Sequence, residues 1–126
     1  MATQMDSVIL ETAMLSAVRA FYETSLGLSI NTLDDQRGVN LEDCSIDYVN
    51  YRLSPGVLLC FEQGRVASIV TIVLRVHLEV AERLGALQGK TSKHLPNGGR
   101  YVIVQDPEAR KIILEYSHPQ LKTLLG

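Results

Sequence analysis

The sequence lacks several features by which whole classes of protein are recognised. It has no tryptophan, only two cysteines and no excess of positive charge, since 12 Lys and Arg stand against 14 Asp and Glu. A net charge of -2 supplies no basic field that would attract a phosphate backbone, so we expect no nucleic-acid partner. The cysteines, Cys44 and Cys60, form no CxxC pair, and their spacing is compatible with a disulfide without requiring one.

Long apolar runs are also missing. The longest, Val57–Phe61 and Ala67–Leu74, are much shorter than the roughly 20 residues that a membrane-spanning helix needs. The segment Met1–Asp6 lacks the basic and apolar regions of a secretory signal. These absences predict a cytoplasmic protein with no membrane partner, in which Cys44 and Cys60 are ordinary thiols.

What is present is a chain of average globular composition. Its 126 residues, 46% hydrophobic and 21% charged, suffice for one domain with a buried core. Ser7–Thr12 has the pattern of a strand, and Ser16 is placed to cap a helix that ends near Gly27. Extended segments follow at Leu28–Leu33, Ile46–Leu53 and Val57–Glu62. The order of elements is β-α-β-β-β.

The second half of the chain repeats this pattern. A strand pattern rich in β-branched residues, a helical pattern and two further strand patterns lie at Ser68–Val76, Leu78–Leu87, Arg100–Gln105 and Lys111–Tyr116. In the helices, Phe21 and Leu84 are expected to pack against the sheet. The sequence therefore predicts two related modules, residues 1–63 and 64–126, within one domain.

Two motifs resemble a known superfamily. The segment Val18–Leu28, with its Phe-Tyr and Leu-Gly-Leu runs, is similar to the helix end of the vicinal oxygen chelate superfamily, which includes glyoxalase I, bleomycin-resistance proteins and extradiol dioxygenases. Asp106–Glu115 resembles the closing hairpin of that superfamily, although Ala109 stands where glycine is usual. Val73–His77 lies where the first strand of the second module is expected, and there His77 stands where aspartate is usual. The resemblance implies an α+β fold of two βαβββ modules whose curved mixed sheet forms a cup, with the helices outside.

Metalloenzymes of the superfamily bind a divalent ion through His, Gln or Glu on the first and last strands of each module. The resemblance places these ligand positions at Ser7, Leu58, Thr71 and Ile113. Two of these side chains are apolar and two are neutral hydroxyls, whereas such an ion requires imidazole or carboxylate donors. A register error of two or four residues would instead bring in Cys60, Glu115, Glu11 or Arg75. We expect no metal and no other cofactor.

Strand alternation predicts which side chains line the cup. It places inside Ser7, Ile9, Glu11, Leu58, Cys60, Glu62, Thr71, Val73, Arg75, Lys111, Ile113 and Glu115. Tyr48 and Tyr51 lie on opposite faces of one strand, and the sequence does not say which of them faces inward. The predicted ligand-binding residues are Glu11, Tyr48, Cys60, Arg75, Ile113 and Glu115. The alternative is that the three charged residues only pair with one another or lie at a wet rim. In the empty site, Arg75 is expected to pair with Glu11, Glu115 or both.

The three histidines stand outside this set. His77 lies between a strand and a helix and is expected to cap the helix or face solvent. His94 lies in Gly89–Gly99, which is predicted to be a flexible loop placed to close over the mouth of the cup. His118 is expected to be exposed after the last strand.

These patterns predict a metal-independent protein of the glyoxalase and bleomycin-resistance type that binds or sequesters a small organic compound, cationic or amphipathic. One alternative is a glyoxalase-like lyase, isomerase or dioxygenase, or a metal-free acid–base catalyst that uses Glu11 or Glu115. Another is a structural dimerisation module, because the resemblance also implies a homodimer.

Overall fold

A computed structural model describes residue 3 and residues 5–31, 47–54 and 56–117 of the chain. The chain divides into two compact units, Met1–Ser68 (unit 1) and Ile69–Gly126 (unit 2). Each unit has a mixed sheet and one α-helix, so the fold is α+β, as predicted. Within the described ranges, no helix combines the length and the apolar character that crossing a bilayer requires.

Unit 1 has three strands and one helix. They are β1 (Ser7–Thr12), α1 (Leu15–Ala20), β2 (Tyr48–Leu53) and β3 (Val57–Gln63), and a π-helical turn at Phe21–Ser25 continues α1. The strand order is β1-β3-β2, with β1 parallel and β2 antiparallel to β3. Of the strand predicted at Leu28–Leu33, the described part forms only an isolated bridge between Ile30 and Tyr51. Residues 32–46, which include Cys44, lie outside the described residues.

Helix α1 does not begin at the predicted cap. Ser16 lies inside the helix, and Met14 holds the N-cap position. The side chains of Thr12 and Gln63 accept the first N–H groups instead. The N–H of Met14 donates to Oγ1 of Thr12, and the N–H of Leu15 donates to Oε1 of Gln63, each at 3.1 Å. A helix start that is satisfied by a distant strand residue leaves no local signal in the sequence.

The core of unit 1 is aromatic. Tyr22, Tyr51 and Phe61 are 0% exposed, and the ring centroids of Tyr22 and Phe61 lie 4.7 Å apart. The expectation that Phe21 packs between helix and sheet is wrong, because Phe21 is only half-buried and touches the edge of Tyr22. Tyr22 follows Val18 by one helical turn, so the two side chains share the buried face.

Unit 2 repeats the topology of unit 1. It consists of β4 (Thr71–Arg75), α2 (Leu78–Leu87), β5 (Lys93–His94), β6 (Arg100–Gln105) and β7 (Lys111–Tyr116). The strand order is β4-β7-β6-β5, with β4 parallel and β6 antiparallel to β7. Strand β5 was not predicted. It pairs with β6 in the position that the Ile30 bridge occupies beside β2 in unit 1.

Helix α2 has the predicted bounds and buries one side against the sheet. Ala81 and Leu84 are 1% and 2% exposed, whereas Leu87 is 75% exposed at the end of the helix. A Cβ atom added to Gly85 would lie 3.1 Å from Cγ2 of Val102. Glycine at this position therefore permits the close approach of α2 to β6.

The β6–β7 hairpin encloses a buried ionic group. Arg110 is 0% exposed, and its Nη1 lies 3.0 Å from both Asp106 Oδ2 and Glu108 Oε1. The other oxygen of Asp106 accepts the backbone N–H groups of Glu108 and Arg110, at 2.9 and 3.0 Å. Ala109, which stands in place of the usual glycine, has a φ of 65°. The hairpin therefore keeps the left-handed turn without the residue that favours it.

Candidate functional site

The face of the unit 2 sheet opposite α2, here called the helix-free face, carries the three predicted site residues of this unit. Arg75, Glu115 and Tyr101 align as register partners across β4, β7 and β6. The next aligned row on this face is apolar and consists of Val73, Ile113 and Ile103. A third row contains Thr71, Lys111 and Gln105. The arrangement is a charged row beside an apolar one, which suits a ligand with a polar end.

A depression of about 280 Å³ lies at the charged row. Arg75 and Glu115 line it together with Leu95, Asn97 and Gly99 from the β5–β6 connection. The sequence predicted that Arg75 is paired with a carboxylate in the empty site. The structure differs, because Arg75 is exposed and no ion pair among the described residues includes it. The prediction assumed that Arg75 is buried, where an unpaired charge is costly. An exposed guanidinium is solvated and needs no carboxylate partner.

The β5–β6 connection is a tight turn beside this depression. The N–H of Leu95 donates to the carbonyl of Gly99 at 2.8 Å, and the N–H of Gly98 donates to the carbonyl of Leu95 at 3.1 Å. Oδ1 of Asn97 accepts the N–H of Gly99 at 3.0 Å. The predicted loop Gly89–Gly99 thus contains both a short strand and a hydrogen-bonded turn, and the turn borders the depression.

Unit 1 carries the other three predicted residues on its own helix-free face. Glu11, Glu62 and Tyr48 align across β1, β3 and β2, and the next row contains Cys60 and Asn50. Oδ1 of Asn50 is buried and has no hydrogen-bond partner. Cys60 is 0% exposed and forms no disulfide within the described part of the chain. Glu11 and Glu62 therefore form a pair of neighbouring carboxylates, and Cys60 lies in the buried row beside them.

The charged rows of the two units correspond to each other. Unit 1 has Glu11, Glu62 and Tyr48, and unit 2 has Arg75, Glu115 and Tyr101, in the same order along equivalent strands. The rows differ only where Glu11 of β1 is replaced by Arg75 of β4. Sequence reasoning missed Tyr101, although strand alternation in β6 would have placed it on this face.

The two tyrosines of β2 take opposite roles. Tyr48 lies on the helix-free face and is 36% exposed, whereas Tyr51 is fully buried against Tyr22 and Phe61. The hydroxyl of Tyr51 donates to Oε2 of Glu23 at 2.9 Å, and Nε of Arg19 donates to the same oxygen at 2.8 Å. Tyr48 is therefore the tyrosine available to a ligand.

Burial and hydrogen bonding shift the pKa values in this network. Burial of Tyr51, together with its bond to the Glu23 carboxylate, raises the pKa of Tyr51. Burial raises the pKa of Glu23, but the hydrogen bonds from Arg19 and Tyr51 outweigh it, so the net shift is downward. The Tyr51 hydroxyl thus stays protonated and holds α1 and its π-helical turn to β2.

The expected metal positions do not form a metal site. Ser7 lies opposite Leu58, but Thr71 lies opposite Lys111 and not opposite Ile113. Thr71 thus corresponds to Ser7, as predicted, but the predicted match of Ile113 with Leu58 is wrong by two residues, because Lys111 takes that place in unit 2. Neither register supplies imidazole or carboxylate donors, and among the described residues no three His, Cys, Asp or Glu side chains lie together as metal ligands. These residues do not fit the divalent ion of the metalloenzymes.

The histidines stand apart from the charged rows. His77 is the exposed N-cap residue of α2, and its side chain makes no capping hydrogen bond. His94 is exposed on β5 and is paired by its backbone with Arg100. His118 lies outside the described residues. No catalytic role for His77 or His94 follows from these positions.

Comparison with known proteins identifies the fold. No protein-family model matches the sequence, and no curated protein matches it. A glyoxalase/dioxygenase from Nostoc punctiforme is 17% identical, with a TM-score of 0.65 over 91% of each chain. A lactoylglutathione lyase from Agrobacterium tumefaciens is 16% identical, with a TM-score of 0.59 over 95% of this chain and 96% of that one.

A third solved structure, a glyoxalase/bleomycin resistance protein/dioxygenase from Nocardioides, is 15% identical, with a TM-score of 0.58 over 94% of this chain and 86% of that one. Identities this low show the fold and leave the chemistry open. The chain therefore has the glyoxalase/bleomycin-resistance/dioxygenase fold that its resemblance to the vicinal oxygen chelate superfamily implied.

Proposed function

We propose that the protein binds a small amphipathic organic molecule, without a metal ion, on the helix-free face of unit 2. The observation that carries this proposal is the depression of about 280 Å³ in which the exposed guanidinium of Arg75 lies beside Glu115. A guanidinium without a protein partner is free to donate several hydrogen bonds to a ligand oxyanion.

The neighbouring rows support a ligand with two ends. Val73 is 55% exposed and Ile113 is half-buried, so an apolar surface continues directly from Arg75 and Glu115. A ligand that places an acceptor group at Arg75 would cover these side chains with its apolar part. Shape and charge complementarity of this kind are sufficient for sequestration.

Local charge refines the expectation of a cationic or amphipathic ligand. The whole-chain charge of -2 favours cations only weakly. Among the strand residues described on the helix-free face of unit 2, however, Arg75, Lys111 and the edge residue Lys93 outnumber the single carboxylate, Glu115. The excess of positive charge supports an amphipathic ligand with a carboxylate, sulfonate or similar group.

Binding of anilinonaphthalene sulfonate, followed by its fluorescence, tests the proposal. This probe has an anionic group and an aromatic body. We expect Arg75→Met to weaken its binding about tenfold, because charge-assisted hydrogen bonds to the sulfonate are lost. Lys111→Met is the matched control, since Lys111 lies on the same face but outside the depression. Chelation with EDTA should leave the affinity unchanged.

Two outcomes would contradict the proposal. Equal affinities of Arg75→Met and the unmodified protein for the probe would remove Arg75 from the binding site. About one metal ion per chain by elemental analysis, together with a rise in thermal stability on adding that metal, would favour the alternative of a glyoxalase-like lyase, isomerase or dioxygenase.

The homodimer and the cytoplasmic location remain predictions. Light scattering at several protein concentrations checks the first, and fractionation of cells that express the chain checks the second. If the protein is a dimer, its affinity for the probe can be compared before and after dilution dissociates it. Equal affinities would support binding by each chain separately.

A further inference from the structure

A second cavity, of about 250 Å³, lies between α2 and strands β6 and β7. Its walls include Ala81 and Gly85 of α2 and Val102 of β6, which are all buried. Val102 belongs to the side of the sheet that faces α2, whereas Arg75 and Glu115 belong to the helix-free face. The cavity shares Tyr116 with the depression at Arg75 but is otherwise separate from the site proposed above.

Arg100 is the unusual residue of this cavity. Strand alternation places its side chain on the face of β6 that carries Val102 and Val104, which are 2% and 0% exposed. Nε of Arg100 is buried and has no hydrogen-bond partner. No hydrogen bond or ion pair between side chains of the described residues involves its guanidinium. A buried donor without an acceptor is unfavourable, and a bound acceptor would relieve it.

The other polar side chains of the cavity favour a negatively charged occupant. Lys90 adds a second positive charge and Glu82 a single negative one. Ser92 and Tyr116 bring hydroxyl groups, which can donate to an anion. The excess of positive charge and the number of donors both point to an oxyanion, while the walls formed by α2 and β6 are apolar.

We propose that this cavity binds a small organic carboxylate. The planar guanidinium of Arg100 matches a carboxylate in two parallel hydrogen bonds, one of them from Nε. A short hydrocarbon chain would then lie against Ala81, Gly85 and Val102. The volume of about 250 Å³ is below the range of about 300–1,000 Å³ for drug-sized ligands, so the occupant has roughly six to eight non-hydrogen atoms.

Nuclear magnetic resonance of the uniformly ¹⁵N-labelled chain tests this site directly, with sodium butyrate as the probe. The Nε–Hε resonance of Arg100 should move downfield and saturate, with a Kd on the order of 1 mM. The amide resonances of Gly85 and Val102 should move in parallel. Sodium chloride and butylammonium chloride at the same ionic strength are the controls for salt and for the hydrocarbon chain, and neither should produce the saturating shift.

Two variants locate the binding site. Arg100→Met should weaken butyrate binding at least about tenfold, because the two charge-assisted hydrogen bonds are lost. Arg83→Met removes an exposed cation of α2 outside the cavity lining and should leave the Kd within about twofold. If Arg100→Met does not fold, Arg100→Lys, which keeps the charge but not the planar fork, should show the weakened binding instead.

The outcomes against the proposal are distinct. The proposal is wrong if butyrate produces no saturating shift at Arg100, or if chloride produces the same shift. Butyrate shifts that centre on Arg75 would place the carboxylate on the helix-free face and would also overturn it. A folded Arg100→Met variant that binds butyrate with unchanged affinity would likewise show that the proposal is wrong.

Discussion

Units 1 and 2 build the same strand order around different cores. Unit 1 packs the rings of Tyr22, Tyr51 and Phe61 together. Its Arg19–Glu23 ion pair is partly exposed, since the side chain of Arg19 is 42% exposed and that of Glu23 is 26% exposed. Unit 2 has a core that is aliphatic apart from Tyr116, and it places the charges of Asp106 and Arg110 in a fully buried ionic group. Topology is therefore conserved between the halves, whereas the means of stabilisation is not.

The helix-free faces of the two units also share their strand arrangement but differ in charge. Equivalent rows end in Glu11 and Arg75, and the other two positions of each row hold Glu and Tyr in both units. One exchange thus converts a row with two carboxylates into a row with a carboxylate and a guanidinium. Small changes on a repeated scaffold are enough to give each unit its own electrostatic preference.

The largest effect is expected from breaking the buried ionic group of unit 2. Asp106→Ala should lower the free energy of unfolding by about 3–5 kcal/mol, because Arg110 loses a partner while it is buried. Urea unfolding measures the loss. Glu23→Ala in the partly exposed pair of unit 1 is the comparison, and a loss for Asp106→Ala as small as about 1 kcal/mol would refute the contrast between the units.

A smaller effect is expected from the network of unit 1. Tyr51→Phe removes the hydrogen bond to Glu23 and should cost about 1.5–3 kcal/mol at neutral pH. The pKa of Glu23 is lowered in the folded state, so its contribution is present above its unfolded pKa of about 4.3 and is lost as the pH falls through the lower folded value.

The difference in stability between the unmodified protein and Tyr51→Phe should therefore shrink as the pH falls below about 4.3, the unfolded pKa of Glu23. Urea unfolding at several pH values measures this convergence. Tyr48→Phe on the opposite face of β2 is the matched control. A Tyr51→Phe deficit that is the same at every pH would show that the hydroxyl does not act through the Glu23 carboxylate.

The smallest effect concerns the hairpin turns. The β2–β3 turn of unit 1 has Gly56 with a φ of 146°, whereas the β6–β7 turn of unit 2 has Ala109 with a φ of 65°. Ala109→Gly should stabilise the protein by about 0.5–1 kcal/mol, because relief of the left-handed strain exceeds the entropy gained by the unfolded chain. Thermal unfolding measures the gain.

Ala86→Gly in the exposed part of helix α2 is the control for this change. There the same replacement should destabilise by up to about 1 kcal/mol, since Ala86 lies in the last turn of α2 and glycine is less favourable than alanine in a helix. If both replacements lower the stability, the turn at Ala109 does not carry the strain that its backbone angle indicates.

Sequence reasoning was most accurate where periodicity and chain direction determine the structure. The bounds of β1, α2, β6 and β7 and the faces of Arg75 and Glu115 follow from alternation and helical spacing. It failed where tertiary contacts decide, as at the start of α1, which is capped by Gln63 of β3. The sequence also predicted that Phe21 is buried between helix and sheet, where the structure has its neighbour Tyr22. Two adjacent aromatic residues fit one broad helical stripe equally well, so the pattern does not distinguish them.

The site was predictable in part for the same reason. Alternation assigns residues to a face, but only the strand register shows that Arg75, Glu115 and Tyr101 lie in one row. The depression depends on the turn Leu95–Gly99, whose hydrogen bonds join residues within a segment that has no periodic pattern. Arginine is usually found at protein surfaces, so the sequence does not indicate that Nε of Arg100 is buried. Only its position on β6 in the structure shows this.

The parallel pairings of β1 with β3 and of β4 with β7 have a consequence for folding speed. Each joins residues far apart in the chain, such as Ser7 with Leu58, whereas the β6–β7 hairpin joins Gln105 with Lys111. Hairpins form in about 1–10 μs, while distant contacts must first overcome the entropy of closing a long loop. We therefore expect the hairpins to form before the strands that complete each sheet, with φ-values higher in β6 than in β4.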